Sequence, residues 1–160
     1  MSIIYRQASI NDYPFLREML YEALFVPEGE KPFPKSILDL PEISKYTENW
    51  ASPGDFGIIA GDGDKPVGAV WGRLFKSTNK GYGYIDEKTP ELTMAVKNSY
   101  RNRGIGAELM RRFLLLAKEK GYKAVSLSVD KRNRAANFYR GLGFKIINKA
   151  ETAYTMKMLL

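Results

Sequence analysis

The sequence predicts an α+β (mixed α/β) fold: a central twisted sheet, mostly antiparallel, with helices on both faces. Three observations lead there. Strand-like and helical segments follow in the order β-α-α-β-β-β-α-β-α-β-β, which is not the strict alternation of a purely parallel sheet. The one long helical repeat, residues 104–120, lies between strand-like segments 91–96 and 124–130, so those two strands are expected to run parallel. With 160 residues, 44% of them hydrophobic, the chain can bury a core of its own, and a single domain over 1–160 is expected.

The elements follow in order. "SIIYRQAS" (2–9) is rich in β-branched and aromatic residues and reads as a strand. Asp12 then offers an N-cap to "YPFLREMLYEALF", where Phe15, Met19, Leu20 and Ala23 recur at helical spacing. Four prolines between 26 and 41 mark a loop, and Pro41 starts a short helix, "PEISKYTENW". "DFGIIAGDGDKPVGAVWGRLF" reads as two strands around a tight turn at 61–65. The polar, glycine-rich stretch "KSTNKGYGYIDEKTP" reads as a mobile loop. "ELTMAV" (91–96) is a strand. Ile105, Leu109, Phe113 and Leu116 then define the long helix, stopped by Gly121. "AVSLSVD" is a strand, "NRAANFYRGLG" a shorter helix ending in glycine, and "FKIIN" and "AYTMKML" are closing strands.

Composition excludes several chemistries. Cysteine and histidine are absent, which rules out disulfides, thiol nucleophiles, histidine triads and the two-histidine zinc helix. No G-x-S-x-G string occurs, and no metal site is expected. Proton transfer rests on carboxylates, tyrosines, lysines or water. The longest purely apolar run is 113–117, so no membrane partner is expected, and the N-terminus has no secretory pattern. A cytoplasmic location is the expectation.

Charge is unevenly placed. Residues 97–149 hold 14 Lys and Arg against three acids, a net of +11, whereas the remainder carries a net of −4. One part suits a polyanion and the other tolerates a cation. Within the basic part, Arg101, Gly104 and Gly106 lie between a strand and a helix. Unpartnered amides at a helix N-terminus, close backbone approach at glycine and neighbouring arginines together make a phosphate cradle. The alternative is a turn that only lets the helix pack on its strand. A P-loop string is absent, and a dinucleotide fingerprint fails at Leu109, where its third glycine belongs.

"ELTMAVKNSYRNRGIGAELMRRFLLLAKEKGY" and "AVSLSVDKRNRAANFYRGLGFK" resemble the GNAT superfamily of N-acetyltransferases. Arg101, Gly104 and Gly106 match its [QR]-x-x-G-x-[GA] loop. Asn133, Phe138, Tyr139, Gly143 and Phe144 match its second element. The resemblance implies a three-layer α/β/α fold with the sheet splayed between the fourth and fifth strands. It implies acetyl-CoA as co-substrate, with the pyrophosphate on Arg101, Asn102, Arg103, Gly104, Ile105, Gly106 and Ala107. Met94, Ala95 and Val96 would pair with the pantetheine arm, and Asn133 and Phe138 would also meet CoA. Asn133 has a second reading, as a helix cap. Lys131, Arg132 and Arg134 read as a solvated face within reach of the nucleotide.

The implied reaction is direct attack of an amine on the thioester, with Tyr139 as general acid and Glu91 as general base. Glu91 has two alternatives, a solvated strand-end residue or one that only orients substrate, and Glu22 is a lesser candidate base. Many relatives carry a proline two residues after the strand valine, where this chain reads Lys97-Asn98. That removes a stiffener but no chemical group.

The resemblance places the acceptor among residues 22–50 and 71–90. Phe25, Phe33, Tyr46, Trp50, Trp71 and Tyr84 are candidate walls; Glu22, Glu28, Glu30, Asp86 and Glu87 are candidate attractors of an amine. Which amine is accepted stays open, and a homodimer is a further possibility that the resemblance carries. A non-catalytic acyl-CoA-binding domain is the alternative function. No helix-turn-helix, zinc-finger or RNP-like string occurs, so nucleic acid is not an expected partner.

Overall fold

The computed structural model describes residues 2–160. Seven strands form one sheet: β1 (Ile3–Gln7), β2 (Phe56–Asp62), β3 (Lys65–Arg73), β4 (Glu91–Val96), β5 (Ala124–Asp130), β6 (Lys145–Lys149) and β7 (Ala153–Leu159). Their spatial order is β1-β2-β3-β4-β5-β7-β6, and every pairing is antiparallel except β4 with β5. The helices are α1 (Tyr13–Ala23), α2 (Pro41–Ser44), α3 (Ile105–Glu119) and α4 (Ala135–Leu142).

Alternation along the central strands divides the core in two. Ile59, Ala69, Trp71 and Ala95 face one side and pack with Phe15, Leu16, Met19 and Leu20 of α1 and Ile43 of α2. Ile58, Ala60, Val70 and Leu92 face the other and pack with Leu109, Met110 and Phe113 of α3 and Tyr139 of α4. Helices therefore cover both faces, giving the three layers expected.

Three local expectations change. Asp12 does not cap α1 with its side chain: its carboxylate accepts from the Ser9 backbone N–H (2.7 Å) and from Arg6 (2.7 and 2.8 Å), tying the end of β1 to the helix entry. The second helix stops at Ser44, and the chain continues in turns that include positive φ at Asn49 and Ala51. Buried Arg73 holds those turns, pairing with Asp55 at 3.0 Å and donating to the carbonyls of Lys45 and Glu48. The stretch 76–90 is pinned rather than loose. The Lys80 carbonyl accepts from Lys45 Nζ (2.7 Å), the Tyr82 N–H donates to Tyr46 Oη (2.7 Å), and the Gly83 carbonyl accepts from Ser126 Oγ (2.8 Å). Its polar composition concealed these long-range partners.

Candidate active site

The site begins where the sheet opens. Among the described residues β4 and β5 pair in register at Glu91 opposite Ser126, where the Ser126 N–H donates to the Pro90 carbonyl (2.9 Å). Beyond that point the two strands part. The Lys97 N–H donates to Val67 of β3, so alternation turns the peptide groups of Met94 and Val96 toward the opening and those of Ala95 toward β3. An extended ligand has the Met94 peptide groups and the Val96 N–H to pair with, the Val96 carbonyl already accepting from Arg101 Nε.

The loop after β4 carries two left-handed residues, Asn102 (φ 60°) and Gly104 (φ 80°), and leads directly into α3. The first α-helical bond runs from the Glu108 N–H to the Gly104 carbonyl, so the amides of Ile105, Gly106 and Ala107 precede the helix's own bonding. A Cβ on Gly106 would come no nearer than 3.6 Å to Met94 Cε, ordinary contact, so helix packing does not require this glycine. Gly106 and the amides beside it line the cavity between the parted strands. Amides that precede the helix's own bonding, with the helix dipole behind them, are groups that could hold an anion such as a diphosphate.

Arg101 folds back, with Nε donating to the Val96 carbonyl (3.0 Å) and Nη2 lying 3.7 Å from Glu22. Arg103 lies over the Tyr100 ring, 5.4 Å from its centroid. Asn133 stands one residue before the N-cap of α4, Arg134; its Oδ1 accepts from the Ala135 N–H (2.9 Å) in a local turn, and its NH2 group is a donor for a ligand in the cavity that Asn133 lines. Phe138 is half-exposed, and Tyr139 is buried beside it and against Phe144. Burial alone raises the Tyr139 hydroxyl to about 12.

Glu91 is 3% exposed, with Oε2 accepting from Tyr46 Oη at 2.5 Å. Oε1 finds no hydrogen-bond partner among the described residues, although the Gly83 backbone draws the carboxyl's proton affinity down. Desolvation outweighs that and the Tyr46 bond, raising the carboxyl to about 7. A carboxylate so placed accepts protons near neutrality.

One cavity of about 1810 Å³ joins these groups. Of the sequence-predicted set it is lined by Glu91, Met94, Ala95, Val96, Arg101, Asn102, Gly104, Ile105, Gly106, Ala107, Asn133, Phe138 and Tyr139; Arg103 does not line it. Arg132 and Arg134 do, and Arg132 pairs with Asp130 at 3.0 Å. Among the acceptor candidates, Glu22, Glu28, Phe25, Phe33 and Tyr46 line the cavity. Trp50 and Trp71 are core residues whose indole N–H groups donate to the Ser9 and Tyr46 carbonyls. Asp86 and Glu87 accept from Lys88 and Ser77 within their own loop. Sequence reasoning missed the Tyr46–Glu91 bond and the lining residues Glu42 and Tyr82. Among the described residues no cluster of three or more acids is arranged to hold a metal ion, and no helix is long and apolar enough to cross a membrane.

Comparison with known proteins gives the family and the fold. A family model described as the acetyltransferase (GNAT) family matches residues 14–144. The PaiA N-acetyltransferase of Thermoplasma acidophilum, solved with coenzyme A, is 22% identical with a TM-score of 0.66, and all of each chain is covered. YncA of Salmonella typhimurium, a putative acetyltransferase solved with acetyl-CoA, is 15% identical with a TM-score of 0.69, covering 100% of this chain and 95% of that one. The GNAT domain of S. lividans PAT is 15% identical with a TM-score of 0.70, covering 98% and 89%. No curated protein matches the sequence.

Proposed function

Because this chain belongs to the acetyltransferase (GNAT) family, we propose that it transfers an acetyl group from acetyl-CoA to a primary amine, with both substrates bound together. The parting of β4 and β5 carries this reading: it opens one cavity shared by the α3 amides, Tyr139 and Glu91. The diphosphate of CoA lies on the amides between Arg101 and Ala107, and its arm runs along Met94 and Val96. The supply of acetyl-CoA makes the cytoplasm the compartment for the reaction.

The amine nitrogen attacks the thioester carbonyl, the C–N bond forms and the C–S bond breaks. An ordinary alkyl ammonium, with a pKa near ~10, must first lose a proton. Glu91 takes it through a water, the raised proton affinity of its buried carboxyl matching a base that works near neutrality. The leaving sulfur gathers thiolate charge, its thiol having a pKa near ~8.5. Tyr139, held at about 12, keeps its proton at neutral pH and passes it to the sulfur as charge builds there, taking in exchange the second N–H proton of the newly acetylated nitrogen, so that CoA leaves as the thiol. The chain has no cysteine, so no thiol-bound acyl intermediate intervenes.

The acceptor end of the cavity is lined by Tyr21, Phe33, Leu40, Glu42, Ile43 and Tyr82. An apolar wall with a carboxylate suits an amine on an apolar or polyamine body. The test is a thermal shift with acetyl-CoA, NADH and short single-stranded DNA at about 150 mM salt. Acetyl-CoA at 100 times its Kd should stabilise by about 2.7 kcal/mol, or roughly 5–10 °C here. Thiol release is then followed with spermidine, tyramine, lysine methyl ester and a short peptide. An equal shift with DNA, or none with acetyl-CoA, overturns the reading. A shift with acetyl-CoA but no release with any amine favours the non-catalytic alternative.

A further inference from the structure

Glu91 is gripped by residues outside the acetyltransferase motifs. Tyr46 follows α2 and lies 45 positions before Glu91 in the chain. Its hydroxyl donates to Glu91 Oε2 at 2.5 Å and accepts from the Tyr82 backbone N–H at 2.7 Å. That second contact fixes the direction of the first: an oxygen facing an N–H must turn its own proton to the carboxylate. The ring is held by Phe75 edge-on at 5.2 Å and by Tyr82 stacked at 6.5 Å. The Tyr46 carbonyl accepts from the Trp71 indole at 2.9 Å. Over the pair lies Gly81. A Cβ there would stand 2.2 Å from Glu91 Oε1 and 2.9 Å from Tyr46 Oη, so the turn closes on the pair only because this residue has no side chain.

We propose that Tyr46 is a positioning residue for acetyl transfer, and that Gly81 keeps the Tyr46–Glu91 pair closed. The inference rests on Glu91 being the base. A carboxyl this deeply buried favours its neutral form, and a neutral base takes no proton. The Tyr46 O–H favours the charged form and occupies Oε2, leaving Oε1 as the oxygen that receives the amine's proton. On the turn side Gly81 lies against that oxygen, where a Cβ would stand only 2.2 Å away.

The other charged groups nearby do not replace Tyr46. Lys45 draws the carboxyl's proton affinity down, but less than the Tyr46 bond, and its Nζ is bonded to the Lys80 carbonyl. From β3, Arg73 is the register partner of Glu91, yet its guanidinium is committed to Asp55 and to the Lys45 and Glu48 carbonyls. From β5, the Ser126 hydroxyl serves Gly83. On α1, Glu18 and Glu22 lie near Lys97 and Arg101, beyond the far end of β4. Glu42 lies near Tyr82 and raises its hydroxyl's proton affinity.

The test compares wild type with Tyr46→Phe, Gly81→Ala and Glu91→Gln. The Glu91 side-chain carboxyl is titrated by 13C NMR in glutamate-labelled protein, its signal identified by its loss in Glu91→Gln. Thiol release from acetyl-CoA is followed against pH with the most active amine of the panel. Losing a hydrogen bond to a charged group moves a titration by about one to two units. In Tyr46→Phe both the carboxyl midpoint and the acidic limb of kcat/KM should therefore move that far to higher pH. The rate at pH 7 should fall about tenfold or more and recover at pH 9, with the thermal shift by acetyl-CoA retained. Gly81→Ala forces the turn off the pair and admits water to the carboxyl, so both its midpoint and limb should move to lower pH, and it carries the test if Tyr46→Phe does not fold. A midpoint and limb unmoved in both variants overturn the proposal. Full activity in Glu91→Gln overturns the reading of Glu91 as base instead, and the NMR midpoint then still shows whether Tyr46 holds the carboxylate.

Discussion

Two glycine turns border the cleft and use their missing side chains in opposite ways. At Gly81 and Gly83 the space is already filled by protein. An added Cβ would lie 2.2 Å from Glu91 Oε1 at the first and 2.6 Å from the Leu127 backbone carbon at the second. At Gly104 and Gly106 it is not filled: nothing comes within 4 Å of a Cβ at the former, and Met94 Cε at 3.6 Å is nearest at the latter. The first turn needs glycine to close over a carboxylate. The second leaves an opening that packing does not explain. A glycine's purpose thus shows in what its absent side chain would strike, and the two turns should fail differently when altered.

The largest expected effect concerns what the first turn covers. Glu91→Gln keeps the shape and removes the base, so acetyl transfer should fall about 10²–10⁴-fold while binding of acetyl-CoA persists. The same variant isolates the strain of burying the charge. The folded carboxyl titrates at about 7 against 4.5 when unperturbed, so the folded state holds a proton that the unfolded state has already released. Stability should therefore fall as pH rises through that window, by up to about 3 kcal/mol, and level off above it. Subtracting the Glu91→Gln unfolding curve from that of wild type at pH 5 and pH 8 isolates this loss. If both proteins follow the same pH dependence, the turn covers no charge worth protecting.

Gly83→Ala comes next. Its Cβ would strike Leu127 and Ser128 backbone atoms at 2.6–2.9 Å, which cannot yield as a side-chain tip can. The turn must lift, loosening the Ser126–Gly83 bond, at about 1–3 kcal/mol. The melting temperature should fall by roughly 2–10 °C, with the acetyl-CoA shift retained. An unchanged melting temperature would erase the distinction between the turns.

The second turn was legible in the sequence and the first was not, for a physical reason. Arg101, Gly104 and Gly106 fall within six residues at the mouth of a strongly periodic helix, so spacing alone brings them together. Gly81 and Gly83 lie in a polar stretch whose composition matches a mobile loop. What pins it is Lys45, Tyr46 and Ser126, each at least 35 positions away. Tyr46 itself read as an aromatic wall, because no local pattern marks a hydroxyl that reaches a strand 45 residues on. The place of β7 between β5 and β6 was not foreseen, but a mostly antiparallel sheet with one parallel junction and helices on both faces followed from the order of the elements. The depth of Glu91 did not, since a carboxylate at a strand start ordinarily meets bulk water, and here the pinned turn shields it on one side.

The smallest effect on the protein is also the sharpest contrast. Gly106 is the second residue of α3 and its φ is not positive, so alanine suits its backbone. A helix gains up to about 1 kcal/mol from that exchange, and the new methyl makes only ordinary contact with Met94. The free protein should therefore melt at the same temperature or a few degrees higher. The methyl does project into the space that the diphosphate occupies in our reading, holding its oxygens off the α3 amides. Acetyl-CoA affinity should fall about tenfold or more, equivalent to about 1.4 kcal/mol. Isothermal titration with acetyl-CoA, alongside melting of the free protein, reads both quantities on one sample. Gly106→Ala that melts lower and binds as before would make this glycine a packing device like Gly83, and the anion cradle would have to lie elsewhere in the cleft.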